Sequence, residues 1–358
     1  MTAALSVVLP VHNGLPYLGP AIESLLSQSF ADFELLVIDD GSSDGSAALV
    51  DGYAGRNPRI RLLRQENRGL IATLNRGLEL ASTDLVARMD ADDLALPERF
   101  AKQMAYMRSH PGTAVLGGSL VVIDDDGRQV ESVPYPVGVK EVAGRMAAGC
   151  AIAHPTVMMR RQVALAVGGY RAAYKHAEDY DLWLRILERA DIDNLPDVLL
   201  RYRRHGGQVS ARNVLRQAET AAIAREMALR RREGKPDPTA TLDRPLDDAA
   251  LAALDLMPDE AIRVRLSMLA DLVRSEALRS REGQASALDL TRWLRANMKD
   301  CLYTRETQTL WLRAASRIFA ADGAAAARLS WAAFHRSPHL CMRTLLALWR
   351  EHRRARQT

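Results

Sequence analysis

The sequence has no long hydrophobic run. No stretch of roughly 18 apolar residues occurs in the 358-residue chain, so we predict no membrane-spanning helix. The first six residues lack a basic stretch followed by a long apolar segment, so we predict no secretory signal. Cysteine is also scarce, because only Cys150, Cys301 and Cys341 occur, far apart and in apolar surroundings. They are typical of reduced, buried thiols in a cytosolic protein, and not of a disulfide framework or a zinc site.

Two phosphate-binding signatures are missing as well. No Gly-x-Gly-x-x-Gly follows the first apolar run, and no Gly-x-x-x-x-Gly-Lys-Ser/Thr occurs anywhere in the chain. The dinucleotide-binding and P-loop classes therefore lose their main support. Composition is otherwise ordinary, with 48% hydrophobic and 26% charged residues, which allows a sizeable core. The length predicts one large domain with an appendage, or two domains.

Apolar runs alternate with helical spacing through the first hundred residues. This alternation predicts an α/β fold, in which helices flank a mostly parallel sheet. Ligands of such sheets bind beyond the carboxyl ends of the strands. The strand candidates lie at residues 6–11, 34–38, 59–63 and 85–89.

Two of these strand candidates run into acidic residues. Asp39 and Asp40 end the second, and Asp90, Asp92 and Asp93 follow the fourth. We expect both groups to open on the same edge of the sheet. Three neighbouring carboxylates repel one another, and a divalent cation such as Mg²⁺ or Mn²⁺ would relieve that repulsion. The alternative from the residues alone is an acidic turn before a helix.

Other polar groups leave two interpretations open. Glu178 and Asp179 begin a helix, where carboxylates stabilise the helix dipole, although one held there can also act as a general base. His205 beside glycine fits either a surface histidine or a metal ligand. We interpret His154 as a structural hydrogen-bonding group. The Asp-Gly signal within residues 124–127 predicts a solvated hairpin turn on which nothing else converges.

Seven short motifs, taken together, resemble the inverting family-two glycosyltransferases with a GT-A fold. The resemblance covers residues 5–210, and its strength lies in the order of motifs that are individually weak. The motifs are Ser6–Asn13, Leu36–Asp44, Asn67–Leu70, Asp90–Asp93, His154–Thr156, Glu178–Trp183 and Arg201–His205.

This resemblance implies a role for each matching residue. Asp39 contacts the nucleotide base, usually uracil, while Asp90 lies near the ribose and Asp92 binds the metal ion. Asp179 is the implied catalytic base with Glu178 beside it, and His205 the late histidine that reaches the metal or diphosphate. Asp93 is predicted to be a structural neighbour. The predicted nucleotide-sugar-binding residues are Pro10, Val11, His12, Asn13, Asp39, Asp40, Asn67, Gly69, Asp90 and Ala91.

The implied activity is metal-dependent inverting transfer of a sugar from a nucleotide-diphospho-sugar, expected to be a UDP-sugar. The acceptor is a hydroxyl of a glycan or lipid-linked molecule in cell-surface polysaccharide or glycolipid assembly, with Mn²⁺ or Mg²⁺ as cofactor and no nucleic acid partner. One alternative is a sugar nucleotidyltransferase, which should carry a Gly-rich phosphate loop after the first strand. Another is a non-catalytic scaffold that binds a partner through its helical region.

The C-terminal third differs in composition and charge. Residues 1–205 hold 22 of the 48 basic and 26 of the 44 acidic residues, so their net charge is −4 and that of residues 206–358 is +8. We predict a GT-A domain at 1–210, a helix and linker at 211–246, and an all-α extension at 247–358. Its basic end is interpreted as a solvated tail, or alternatively as a peripheral contact with the inner face of the plasma membrane. The predicted location is cytoplasmic.

Overall fold

A nine-stranded sheet forms the centre of the first part of the chain. The computed structural model describes residues 3–205, 214–274 and 312–313. The strand order is β3-β2-β1-β4-β8-β6-β9-β5, and β7 pairs with β6 outside this path. The strands are β1 (Leu5–Val11), β2 (Phe33–Asp40), β3 (Ile60–Gln65), β4 (Leu85–Arg88), β5 (Leu94–Ala95), β6 (Thr113–Ile123), β7 (Gln129–Val133), β8 (Met158–Arg160) and β9 (Asp191–Arg203).

Among the described residues before position 206, seven α-helices accompany this sheet. The helices predicted between the first four strands are present, and they connect strands that pair in parallel. Close packing on the sheet is visible at Gly77, where a Cβ atom would lie 2.5 Å from Cγ1 of Val8. The helices are α1 (Leu18–Leu26), α2 (Ser46–Ala54), α3 (Leu70–Leu80), α4 (Arg99–Ser109), α5 (Val139–Met146), α6 (Arg161–Ala166) and α7 (Glu178–Ile186).

Strands β1 to β4 form the parallel half of the sheet. All seven residues of β1 are buried, as is usual for a parallel strand covered on both faces. The register pairs Val11 of β1 with Asp39 of β2, and Val8 of β1 with Arg88 of β4. The carboxyl ends of these strands therefore meet at one edge, as the sequence predicts.

The other half of the sheet is mixed. Strand β8 runs antiparallel to both β4 and β6, whereas β9 runs parallel to β6. Six strands therefore share one direction, and the short strands β5, β7 and β8 are reversed. The prediction of a mostly parallel sheet flanked by helices is confirmed.

Strand β9 begins six residues before the predicted strand start at Asp197. The sequence obscures this because Pro196 lies inside the strand and has no N–H to donate. The register against β6 shifts between Gly118 and Ser119, which pair with Leu195 and Val198 respectively. A proline is tolerated at such an irregularity because the ladder hydrogen bond is already interrupted there.

Two compact units are distinguished by the contacts within the chain. One comprises residues 1–206 with 238–245, and the other residues 207–237 with 246–358. The segment 238–245 packs within the first unit, where Thr239 lies 2.7 Å from the hydroxyl of Tyr174. The predicted domain boundaries near residues 210 and 246 stay a prediction.

The described part of the second unit is helical. Helix α8 (Val214–Arg232), α9 (Asp248–Ala252) and α10 (Pro258–Arg274) follow one another. Arg263 of α10 donates to both carboxylate oxygens of Glu226 on α8, at 2.6 and 3.0 Å. Most of the predicted extension, including the basic end, lies outside the described residues. Within those residues, no helix combines the length and apolar character needed to cross a bilayer.

Candidate active site

Loops after β1 and β2 form the predicted nucleotide side of the site. The backbone turns after β1 so that His12 Nδ1 lies 2.9 Å from the carbonyl oxygen of Asp40. Asn13 accepts a hydrogen bond from the Ser43 N–H at 2.8 Å, and Asn67 Nδ2 lies 3.2 Å from His12 Nδ1. Pro10 and Val11 are buried at the end of β1, just before these residues.

Asp39 and Asp40 have different surroundings. Asp39 Oδ1 accepts the Ser42 N–H at 3.3 Å. The carboxylate of Asp40 accepts the N–H groups of Arg68 and Gly69, each at 2.8 Å, and the Gln65 side-chain amide at 2.6 Å. Asp40 therefore holds the Asn67–Gly69 loop in place. Because the Asp40 carboxylate is occupied by these contacts, Asp39 is the better candidate to contact the nucleotide base.

The acidic loop after β4 gathers three carboxylates. Asp90, Asp92 and Asp93 each offer one oxygen atom, and these atoms lie within 4.8 Å of one another. The side chains of Asp90 and Asp92 are 30% and 27% exposed, while Asp93 is buried. His205 Nε2 lies 3.0 Å from Asp92 Oδ2, and Ala91 lies between the carboxylates. The structure thus brings together the two predicted metal-binding residues.

The electrostatics of this loop fit a cation. Burial, together with the charges of Asp90 and Asp92, raises the pKa of Asp93 well above its ordinary value. Burial and the charge of Asp92 also raise the pKa of Asp90. Oxygen Oδ2 of Asp93 is buried and has no hydrogen-bond partner in the described structure. The carboxylate oxygens of this loop, with their excess negative charge, suit Mn²⁺ or Mg²⁺.

A buried arginine that the sequence analysis missed lies at the base of this loop. Arg88, the last residue of β4, is 3% exposed. It donates to Asp90 through both terminal nitrogens, with Nη1 2.7 Å from Oδ2. Because this fork engages both oxygens of Asp90, Asp92 is the more available ligand of the pair. The signal for it in the sequence is a charged residue at the end of an otherwise apolar strand.

Helix α7 begins with the predicted catalytic pair. Glu178 is buried and Asp179 half-buried, and Asp179 Oδ1 accepts the Tyr180 N–H at 2.7 Å. Burial raises the pKa of both carboxyls, and the charge of Asp179 further raises the pKa of Glu178, to about 7. The charge of Asp179 also contributes to the raised pKa of Asp90. The pair therefore lies within electrostatic reach of the acidic loop.

Asp181, the third acidic residue in the first turn of α7, anchors the start of this helix. Asp181 is buried and accepts hydrogen bonds from Arg171 Nε at 3.0 Å and Arg185 Nη2 at 2.6 Å. Arg185 Nη2 also donates to the carbonyl of Gly169 at 2.7 Å. The hydroxyl of Tyr180 donates to the carbonyl of Met146. These contacts hold the helix start, and with it the predicted catalytic pair, without any bound ligand.

His154 has the burial and the hydrogen bond that its interpretation as a structural residue predicts. It is buried, and its Nε2 lies 2.9 Å from the hydroxyl of Tyr170. Burial, reinforced by the positive charge of Arg88, holds the pKa of His154 well below its ordinary value. The imidazole is therefore neutral at physiological pH, which suits a hydrogen-bonded packing role.

Glu178→Gln should stabilise the protein in a pH-dependent way. The pKa of Glu178 is raised from 4.5 to about 7, so the folded protein retains a proton that the unfolded chain releases. Folded-state stability therefore falls as pH rises from 4.5 to 7, by roughly 3 kcal/mol at ~1.4 kcal/mol per unit. Urea unfolding at about pH 8 should show most of this gain, and at about pH 5 only a small part.

The exposed Glu79 provides the matched control for that measurement. Glu79→Gln should change the free energy of unfolding by less than about 0.5 kcal/mol at either pH. Equal stabilisation by Glu178→Gln at both pH values would contradict the raised pKa.

Comparison with known proteins identifies the family. The model of the family described as glycosyl transferase family 2 matches residues 6–168. The O-antigen biosynthesis glycosyltransferase WbnJ of Escherichia coli is 32% identical over 232 residues, which are 64% of this chain and 90% of that protein. The chain belongs to glycosyl transferase family 2. Its predicted nature as a transferase is thereby confirmed. EpsE of Bacillus subtilis (strain 168) is 38% identical over 192 residues, 51% of this chain and 66% of EpsE.

A solved structure confirms the GT-A fold of this family 2 member. The crystal structure of S. aureus TarS 1-349 in complex with UDP-GlcNAc matches with a TM-score of 0.55 and 18% sequence identity. The match covers 94% of this chain and 92% of that chain. The prediction of a GT-A fold with a helical C-terminal extension agrees with this likeness, which concerns the fold alone.

Proposed function

We propose that the protein transfers a sugar, with inversion, from a nucleotide-diphospho-sugar to a hydroxyl of a glycan or lipid-linked acceptor. The observation that carries this proposal is the convergence of two carboxylate groups, the acidic loop Asp90–Asp93 and the pair Glu178 and Asp179, within electrostatic reach of each other. One group suits the charged leaving diphosphate, and the other suits the attacking hydroxyl.

The donor is proposed to bind at the nucleotide side of the site. Asp39 would accept hydrogen bonds from the base, for which the family resemblance favours uracil and hence a UDP-sugar. Asn67 and Gly69 belong to the loop that the Asp40 carboxylate holds beside His12. Asp90, fixed by Arg88, would contact the ribose.

Asp92 and His205 are the proposed metal ligands, supported by their mutual contact and by the partial exposure of Asp92. A bound Mn²⁺ or Mg²⁺ would act as a Lewis acid that neutralises charge on the leaving diphosphate. The unpartnered oxygen of buried Asp93 supports a cation at this place without assigning Asp93 as a ligand.

Asp179 is the proposed general base. As the acceptor oxygen forms its bond to the anomeric carbon, its proton passes to the Asp179 carboxylate, and the bonding pair of the departing bond leaves with the diphosphate. One displacement from the face opposite the leaving group inverts the anomeric centre, as in inverting hydrolases. The raised pKa of Asp179 makes it a stronger base than an exposed aspartate.

Cell-surface polysaccharide or glycolipid assembly is the proposed setting, and the O-antigen biosynthesis name of WbnJ supports it. A cytoplasmic enzyme with peripheral membrane contact through the basic C-terminal end remains part of this proposal. The nucleotidyltransferase and scaffold alternatives gain no support, because His12 and Asn13 occupy the place of a Gly-rich phosphate loop and the chain belongs to a transferase family.

Thermal-shift measurements with nucleotide-sugars test the proposed donor. A UDP-sugar with Mn²⁺ at about 100 times its Kd should stabilise the folded protein by ~2.7 kcal/mol, which raises Tm by several degrees. The same ligand with a chelator should give a clearly smaller shift. A shift for an adenine nucleotide-sugar but none for any UDP-sugar would contradict the assignment of Asp39 to uracil.

A further inference from the structure

Arg203, at the end of β9, is the meeting point of four chain segments. It is 5% exposed, although it is a charged residue two positions from the partly exposed His205. Its contacts reach the acidic loop, the turn between β6 and β7, and Tyr17 after β1. None of these contacts follows from the sequence pattern, because Asp92 is 111 residues and Tyr17 is 186 residues before Arg203 in the chain.

On one side, Arg203 fixes the backbone around the proposed metal ligand. Its backbone N–H donates to Asp93 Oδ1 at 2.9 Å, and its side-chain Nε donates to the carbonyl oxygen of Asp92 at 3.1 Å. Two residues further, His205 Nε2 meets Asp92 Oδ2 at 3.0 Å. Two of these contacts hold Asp92 itself, one to Arg203 and one to His205, and the third holds the neighbouring Asp93.

On the other side, Arg203 binds the turn that the sequence analysis interpreted as solvated. The turn itself is confirmed, because Gly127 N–H donates to Asp124 O at 3.0 Å. The expectation that nothing converges on it is wrong. Arg203 Nη1 donates to the carbonyl oxygens of Asp124 and Asp125, each at 2.9 Å. This turn is thus connected to the acidic loop through one side chain.

Tyr17 completes the arrangement. Its hydroxyl donates to Asp125 Oδ1 at 2.8 Å, and the Arg203 guanidinium carbon lies 4.6 Å from the centre of its ring. The ring centres of Tyr17 and His205 are 5.2 Å apart. Tyr17 therefore contacts both Arg203 and the histidine, and holds the turn against them.

We infer that Arg203, with Tyr17 and Asp125 behind it, is a positioning residue that orients Asp92 and His205 toward a shared divalent cation. This role rests on the proposed metal-dependent function. The planar guanidinium donates in several fixed directions at once and stacks on an aromatic ring, which a lysine ammonium does not reproduce. Residues that support metal ligands in this way typically change metal affinity by about 10- to 100-fold when replaced.

Mn²⁺ binding to the 358-residue chain, measured by electron paramagnetic resonance without substrates, tests this role. Arg203→Lys should weaken Mn²⁺ binding by about 10-fold or more. Tyr17→Phe keeps the ring but loses the hydrogen bond to Asp125, and should weaken it by a smaller, several-fold factor. The control is Arg201→Lys, because Arg201 is exposed on the same strand. The Mn²⁺ affinity of this variant should match that of the wild type.

Two further measurements separate positioning from general destabilisation. Near-ultraviolet circular dichroism without metal should show wild-type tertiary structure for both variants below their melting temperatures, although Arg203→Lys should melt at a lower temperature because it loses buried hydrogen bonds. Arg203→Lys should transfer sugar more slowly than the wild type at a limiting Mn²⁺ concentration. An excess of Mn²⁺ should restore much of the lost rate. A loss that excess Mn²⁺ does not restore in a well-folded variant would overturn the positioning role.

The outcomes distinguish this inference from the proposed function. Wild-type protein that fails to bind Mn²⁺ would refute the metal site, and the role of Arg203 with it. Wild-type binding together with unchanged affinity in folded Arg203→Lys protein would refute only the role of Arg203. If Arg203→Lys does not fold, Tyr17→Phe decides, since unchanged affinity in that variant overturns the inference and weakened affinity supports it.

Discussion

Asp179→Asn protein should transfer sugar about 10²- to 10⁴-fold more slowly than the wild type, the range expected for loss of a general base. The amide has nearly the shape of the carboxylate, and its oxygen can still accept the Tyr180 N–H that Asp179 binds at 2.7 Å. It cannot take the acceptor proton. Initial rates of nucleotide release with saturating donor and acceptor measure the effect, while calorimetry of donor binding should give a Kd within a few-fold of the wild-type value.

Glu79→Gln is again the matched control. Glu79 is exposed on α3, so the variant without this charge should keep the full transfer rate.

Burial raises the pKa of Asp179, so the wild-type rate should fall on acidification at a higher pH than an ordinary aspartate would give. Only the deprotonated base accepts a proton, and activity is therefore retained above this pKa and lost below it. Full transfer by Asp179→Asn would move the role of base to another group, with Glu178 as the next candidate.

Asp92→Asn is the second substitution with a large expected effect. Asp92 is the partly exposed member of the acidic loop, and its carboxylate lies 3.0 Å from His205. An amide ligand carries no charge and binds a hard cation more weakly, so Mn²⁺ affinity should fall by at least about 100-fold, the upper end for residues that merely support a ligand. Transfer at cellular metal concentrations should fall in parallel.

Asp84→Asn controls for the loss of a carboxylate near β4, because Asp84 is exposed just before that strand. Its Mn²⁺ affinity should be unchanged. If Asp92→Asn retained wild-type Mn²⁺ affinity, the ion would have to be held by Asp90 and Asp93 instead. Asp90→Asn would then show the larger loss, and the Arg88 fork would have to open.

Local pattern predicts the edge of the sheet at which the site forms. Runs of apolar residues that end in acid identify Asp39 and the Asp90–Asp93 loop, because side-chain alternation and strand direction are local properties of the chain. Parallel register then brings the two together, as the pairing of Val11 with Asp39 shows. The order of helices and strands up to β4 follows from the same local signals.

Contacts made by long side chains could not be predicted in this way. Arg88, Arg203 and Tyr17 appear in the sequence as ordinary polar residues. Their partners are fixed by three-dimensional proximity, and the Arg203 to Asp92 contact spans 111 residues of sequence. A charged side chain with 3–5% exposure must be compensated by polar partners, but only the structure identifies which ones.

Very short elements were missed for a related reason. Strand β5 has only two residues, Leu94 and Ala95, too few to show an alternating pattern. Its existence depends on the partner Arg201, which pairs with Leu94 across the sheet. Tertiary pairing, and not intrinsic preference, therefore decides the conformation of such segments.

The anchor of α7 has a consequence for protein engineering. Every support described for the helix start lies between Met146 and Arg185, including the carbonyl that receives the Tyr180 hydroxyl and the two arginines on Asp181. A chimera that exchanges this range as one block would carry the proposed catalytic pair together with the hydrogen bonds that hold it. A crossover placed between Arg171 and Asp181 would separate them and leave a buried carboxylate with only part of its compensation.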